Sequence, residues 1–405
     1  MKNQEPTITL LGNNSGRNLG DAAILSALMD SLSKEIPGAK FYVPSIAPKW
    51  IEKHYGNKYN VKPLNVMPWT LSLRLLGVPT MWAMAKSDAA LICDGIIFGY
   101  KFFSPHNFLI TLLFLAPWAK LVGCKLICHN CGIGPFPSKI SRWAAKIVMN
   151  LSSIITLRET DSLELAQQLG VKTPIKTTGD AAFVNPVSSR ERAIEIMKAE
   201  GISLDKPKLG VNVTVYVDAW LEKNERVGDK DAFLNSIVAG IKLANTKVKE
   251  EFEPIVFCTQ PMEDEYSAQF AERIGAKIIS NSKYLSHDMQ AVMRECGLLM
   301  GMRFHSIVLS TAVDTPVLGL IYAPKVRGIM RFMGTPEFGL ELADLNNDTL
   351  ADALSKAWDG RVALWEKQEV YIKEQCKSAK QADIDLAKYL YPKLTNKNKD
   401  QQKAA

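Results

Sequence analysis

The chain has 405 residues, 47% of them hydrophobic and 22% charged, which is too long for one core and suits two folded domains. Its formal net charge of +7 favours an anionic substrate or an anionic membrane surface. With no aromatic–basic interleaving and no recognisable binding module, it argues against nucleic acid as a partner. Seven cysteines, an odd number lying mostly inside apolar runs, predict reduced thiols in a cytoplasmic protein.

Met1 to Pro6 leads straight into a strand, Thr7 to Gly12, with no signal-peptide apolar segment. Asn13 to Asp21 is a polar loop bearing Gly16 and Gly20. A helix follows from Asp21 to Lys34, with Ile24, Leu25, Leu28 and Leu32 on one face. A strand, a glycine-bearing loop and a helix start suit an anion or a sugar. Neither the G-x-G-x-x-G nor the G-x-x-x-x-G-K-[ST] nucleotide motif is present. Asn14 and Asp21 are candidate substrate contacts, and Asp21 also suits a helix cap.

Further strands are predicted at Ala39 to Pro44, Ala89 to Asp94, Lys125 to Cys131, Ser153 to Arg158 and Ile175 to Thr178. Several end in Gly, Asp or Arg, consistent with one ligand-facing rim, and Asp94 and Arg158 are candidates on it. Phe108 to Val122 is the most apolar stretch. It is too short to span a membrane and contains Pro117 and Lys120. A helix packed on the sheet is expected there, with peripheral membrane contact as the lesser reading.

Asn185 to Ser189 marks a break, and a charged helix, Arg190 to Glu200, bridges to the second half. The pattern restarts with strands at Lys208 to Val215, Pro254 to Gln260, Lys277 to Ser280, Leu298 to Met302 and Pro316 to Tyr322. Helices are expected at Asp231 to Val248, Met262 to Ile274 and Ser286 to Glu295. Alternating strands and helices predict parallel, doubly wound sheets. Residues 1–185 and 186–345 are therefore expected to be two Rossmann-like domains in a GT-B-like α/β architecture with an interdomain cleft. A C-terminal helical segment, 346–391, is expected to pack across them, and 392–405 to be a disordered tail.

The strand Leu298 to Met302 delivers Arg303 and His305 at its carboxyl end, ahead of a short helix, Ser306 to Ala312. Ligands in open α/β sheets sit outside the carboxyl ends of the strands. A cation and an imidazole placed there predict an anion site with an acid beside it. Each residue alone also suits an interdomain ion pair or a hydrogen-bonded core histidine.

Cys124-x-x-x-Cys128-x-x-Cys131 has iron–sulfur cluster spacing, but it lies along an apolar strand whose alternation is expected to split the ligands between faces. His106 and His129 have no evident partners. No metal is demanded.

Taken together, these residues resemble the polysaccharide pyruvyl transferase family over roughly residues 8 to 335. The resemblance rests on Gly20-Asp21, Gly132-Ile-Gly-Pro135, and Thr156-Leu-Arg-Glu159 followed by Ser162-Leu-Glu-Leu165 and Leu169-Gly-Val171. Its most specific part is Met302-Arg-Phe-His305, then Thr315-Pro-Val317 and Tyr322-Ala-Pro-Lys-Val-Arg-Gly328. Two departures bear on the acceptor side: Asp94-Gly95 is followed by Ile-Ile-Phe instead of more glycines, and the Asn13 to Asn18 loop is long and polar.

The resemblance implies phosphoenolpyruvate as donor, no cofactor, and a hexose acceptor on a lipid-linked or nucleotide-linked oligosaccharide. It maps donor binding to Arg303, His305, Arg158 and Lys325. Two anionic groups on a three-carbon frame call for at least two cations, and guanidinium matches both groups. Ketal formation requires a proton on the methylene carbon. His305 is the candidate acid, since imidazole titrates near neutral pH. Asp21, Asp94 and Asp180 are candidate bases, Asp180 being better suited to holding backbone amides. The rivals are a nucleotide-sugar glycosyltransferase of the same architecture and a non-catalytic glycan-binding protein. Location at the inner face of the membrane and a homo-oligomeric state stay open.

Overall fold

The computed structural model describes residues 5–66, 77–100, 102–104, 107–215 and 230–393. His106 and residues 394–405 of the expected tail lie outside that set. The chain forms two compact units. One comprises Met1–Gly16, Asp21–Asn185 and Gln375–Ala405, and the other Arg17–Gly20 and Pro186–Glu374.

The first unit is built on seven strands: β1 (Thr7–Leu11), β2 (Lys40–Ser45), β3 (Val61–Asn65), β4 (Ala89–Ile92), β5 (Lys125–Cys131), β6 (Ile154–Leu157) and β7 (Ile175–Thr177). They lie in the order β3-β2-β1-β4-β5-β6-β7. Every pairing is parallel, with Leu10 against Leu91 and Leu11 against Ile92 at the centre. The second unit has six: β8 (Lys208–Asn212), β9 (Glu253–Cys258), β10 (Lys277–Ser280), β11 (Cys296–Gly301), β12 (Val317–Ile321) and β13 (Gly339–Glu341). Their order is β10-β9-β8-β11-β12-β13, again all parallel. Strands such as Thr7–Leu11 and Val317–Ile321 are buried along their whole length, as expected where helices cover both sheet faces. In each sheet the order reverses once, between β1 and β4 and between β8 and β11. A crevice opens at such a reversal, outside the strand ends.

The apolar stretch after β4 is the helix Phe108–Leu121. Asn107 caps it, and Leu109, Leu112, Leu115, Ala116 and Ala119 are buried against the sheet. The next helix, Lys139–Leu151, begins with a reciprocal Ser138–Ser141 capping box.

The alternation argument for β5 fails at one residue. Asn130 has φ 48°, and the register against β6 slips between Cys128 and Cys131. This bulge puts both cysteines into the same core cluster. Thr156 and Thr178 hold the bulge by donating to Asn130 Oδ1 at 3.1 and 2.8 Å. Among the described residues, no group of three or more His, Cys, Asp or Glu is arranged to hold a metal ion.

His129 does have a partner. Its Nε2 lies 2.7 Å from Asp383 Oδ1 on the helix Arg361–Leu390, with both side chains buried. Asp383→Ala leaves a buried imidazole without its carboxylate, and an expected loss of about 3 kcal/mol is measurable by urea denaturation.

Candidate functional site

The carboxyl ends of β8, β9, β11 and β12 carry one connected group of polar side chains in the second unit. Asn212 closes β8. Its Oδ1 accepts from Arg303 N at 3.0 Å, and its Nδ2 donates to Phe257 O at 2.9 Å. That carboxamide ties three strand ends together and aims Arg303, which precedes the helix Phe304–Thr311.

The Arg303 guanidinium grips Glu263 in a fork, Nε to Oε2 at 3.0 Å and Nη2 to Oε1 at 2.6 Å. Nη2 also donates to Thr214 Oγ1 at 3.0 Å. Glu263 accepts further bonds from Thr214 Oγ1 and Val215 N, and its side chain is only 1% exposed. A ligand at this rim therefore meets a neutralised pair and not a bare guanidinium.

His305 is half-buried. A Cβ placed on Gly20 would fall 1.9 Å from its Nδ1, so only glycine leaves room for the ring. The imidazole meets Phe304 edge-on, with ring centroids 5.3 Å apart. Lys325, in the first turn of the helix Pro324–Phe332, lies with its Nζ 5.8 Å from the same Phe304 ring. Arg303, His305 and Lys325 thus stand together on this rim. Nearby Arg327 is committed to Glu341 of β13 by two bonds of 2.6 and 2.8 Å.

The first unit presents its own group where β1 and β4 diverge. Asp94 follows β4, and its Oδ2 accepts from Asn13 N at 2.7 Å. A Cβ on Gly12 would lie 3.0 Å from that oxygen, so glycine permits the approach. Asn13 Nδ2 donates to Asp21 Oδ2 at 2.7 Å. Asn14 turns inward, its amide donating to Leu10 O and Pro44 O at 3.0 and 3.3 Å; there it holds the loop against two strands.

Arg158 leaves the end of β6 and lies against Gly132, where a Cβ would come within 2.9 Å of its Nε and Nη2. Its Nη1 donates to Asp180 Oδ2 at 2.8 Å, while Asp180 Oδ1 accepts from Ala182 N at 2.8 Å. Asp180 therefore serves both the backbone and the arginine. Burial opposes the Arg158 charge, but Asp180, Glu159 and Asp94 outweigh it and hold the guanidinium protonated.

Burial, and then the charge of Asp21, push the Asp94 carboxyl up from 3.8 to about 8, against the pull of Asn13 N–H and Arg158. The folded state keeps a proton that the unfolded chain gives up between about pH 4 and 8. The Asp94 contribution to stability is thus full at low pH and is lost as pH rises through about 8. Asp94→Asn cannot ionise. Its melting temperature relative to the parent is expected to climb from pH 5 to pH 8 and to level off above.

Sequence reasoning missed Glu263, Thr214 and Asn212. Glu263 was placed inside a helix from Met262 to Ile274, where a carboxylate faces solvent by default. The helix is Asp264–Ile274, and Glu263 ends the short 3₁₀ turn Pro261–Glu263 that precedes it. The usable signal was Pro261 directly after a strand end, marking a new turn and not a continuing helix.

The family model for polysaccharide pyruvyl transferase matches residues 18–324. That span includes Asp21, Asp94, Arg158, Arg303 and His305, and leaves Asn14 and Lys325 outside. The chain is similar to the amylovoran biosynthesis protein AmsJ of Erwinia amylovora, at 23% identity over 386 residues, covering 85% of this chain and 90% of that protein. Among solved structures it resembles UDP-GlcNAc 2-epimerase of Methanocaldococcus jannaschii (TM-score 0.61, 13% identity, 90% of this chain and 99% of that one). It also resembles Anabaena Alr3699/HepE in complex with UDP and glucose (TM-score 0.56, 13% identity, 99% and 100%). These two structural likenesses bear on the fold, two Rossmann-like domains of GT-B type.

Proposed function

The chain belongs to the polysaccharide pyruvyl transferase family, and from that premise we propose that it moves the pyruvyl group of phosphoenolpyruvate onto a hexose as a ketal, releasing phosphate. The hexose belongs to a cell-surface polysaccharide or to its lipid-linked precursor. The observation that carries this reading is the grouping of Arg303, His305 and Lys325 on one strand-end rim, around Phe304.

In this reading Lys325 supplies a cation for the donor, and the Arg303–Glu263 fork supplies fixed geometry. His305 gives a proton to the donor's methylene carbon, leaving an oxocarbenium-like centre at the carbon that carries the phosphate. One sugar hydroxyl adds to that centre, the phosphate leaves, and a second hydroxyl closes the ring. Of the two hydroxyl protons released, one replaces that given by His305 and the other departs with phosphate.

Phosphate release from phosphoenolpyruvate, screened over lipid-linked glycan extracts, tests the reading. Thermal protection by phosphoenolpyruvate and not by UDP- or GDP-sugars is expected. The reverse pattern identifies a glycosyltransferase, and no release with any acceptor identifies a glycan-binding protein.

A further inference from the structure

The helix Phe108–Leu121 breaks the usual rule for a helix on a sheet, which is apolar inward and polar outward. Its outward stripe is Phe114, Pro117 and Leu121, with spacings of three and four. Phe114 is 49% and Leu121 77% exposed. The loop ahead of it adds Phe103, 78% exposed, beside a buried Phe102. At the other flank, the helix Lys139–Leu151 packs on Phe108–Leu121 and exposes Ile140 and Trp143 among Lys139, Arg142 and Lys146.

Charge singles out the same region. The described residues within 77–151 hold six Lys or Arg and two Asp, and four of the six, Lys120, Lys139, Arg142 and Lys146, stand exposed on these two helices. Neither Asp serves the surface. Asp94 is buried, and Asp88 Oδ2 accepts from Thr7 N and the Tyr391 hydroxyl. The patch ends at the following helix, Thr160–Gln168, which carries Asp161 and Glu164.

We infer that this face of the first unit docks on an anionic phospholipid bilayer. The apolar stripe enters the acyl boundary, and the flanking lysines and arginine pair with lipid phosphates. Apolar burial and basic charge together give the two signals that stable interfacial binding needs. No helix among the described residues is long and apolar enough to cross a membrane, so the protein would lie on the surface. A symmetric pair of copies meeting through this face would set its basic side chains against their own duplicates, which like-charge repulsion disfavours. The inference deepens the lipid-linked-acceptor reading, but vesicle binding is measured without donor or acceptor. Its failure leaves pyruvyl transfer standing, and failure of phosphate release leaves docking standing.

The test is sedimentation of the full chain with vesicles of phosphatidylcholine alone or with one-third phosphatidylglycerol. Binding to the anionic vesicles is expected to be about tenfold tighter or more, and to weaken with salt. Phe114→Ser with Leu121→Ser, and separately Lys139→Glu with Arg142→Glu, are each expected to weaken it about tenfold, with melting temperature unchanged. Equal sedimentation with and without vesicles overturns the inference, as does parent-like binding by both variants. Light scattering that shows the Phe114→Ser, Leu121→Ser protein falling from an oligomer to a monomer also overturns it, by assigning the face to a second copy.

Discussion

Glu263→Ala is expected to lower the unfolding free energy by about 3–5 kcal/mol, the figure for breaking a buried ion pair. The Glu263 carboxylate accepts from Arg303 Nε and Nη2, Thr214 Oγ1 and Val215 N, inside a rim where it is 1% exposed. Removing it takes from the Arg303 side chain, itself only 14% exposed, the carboxylate that it grips in a fork. The urea midpoint reads the loss. Glu263→Ala combined with Arg303→Met removes both charges and is expected to recover much of it, which gives the pair a measurable coupling energy. A Glu263→Ala protein that unfolds like the parent would mean that water compensates the guanidinium, and that the fork does not hold the rim together.

His305→Ala is expected to lower the turnover of phosphoenolpyruvate to phosphate by about 10²–10⁴-fold, the usual contribution of a positioned acid. Stability is expected to change little, because the ring is half-buried and packs on Gly20 and the edge of Phe304. The same preparation gives both readouts: initial rate by phosphate release, fold by melting temperature. Near-parental turnover would remove His305 from the proton step. A collapsed melting temperature would recast it as a packing residue.

Much of the architecture was legible because parallel strands buried on both faces are short apolar runs. Lys125–Cys131 and Val317–Ile321 fall within a residue of where the sequence puts them. Two of the four edge strands, Val61–Asn65 and Gly339–Glu341, escaped. The first contains Pro63 and is partly exposed, and the second is three residues of intermediate burial. Neither offers the run that marks a central strand. The helices Pro48–Tyr55 and Val78–Ala85 were missed too, each only eight residues long.

At the rims, the cations were easier to find than their partners. Arg158 and Arg303 announce themselves by standing at strand ends. Asp180, Glu263 and Thr214 become partners only through contacts 22, 40 and 89 residues distant along the chain. Periodicity carries no information about such pairs. The bulge at Asn130 was invisible for the same reason, since its supports are the hydroxyls of Thr156 and Thr178.

The helix Arg361–Leu390 contributes its residues up to Glu374 to the second unit and those from Gln375 onward to the first. An expression fragment that stops at Asn185 would lack Asp383, and His129 would be left inside it with an unanswered ring nitrogen. Deletions from the C-terminal side would injure the N-terminal unit before the one nearer in sequence. Anyone seeking the smallest active piece should cut elsewhere.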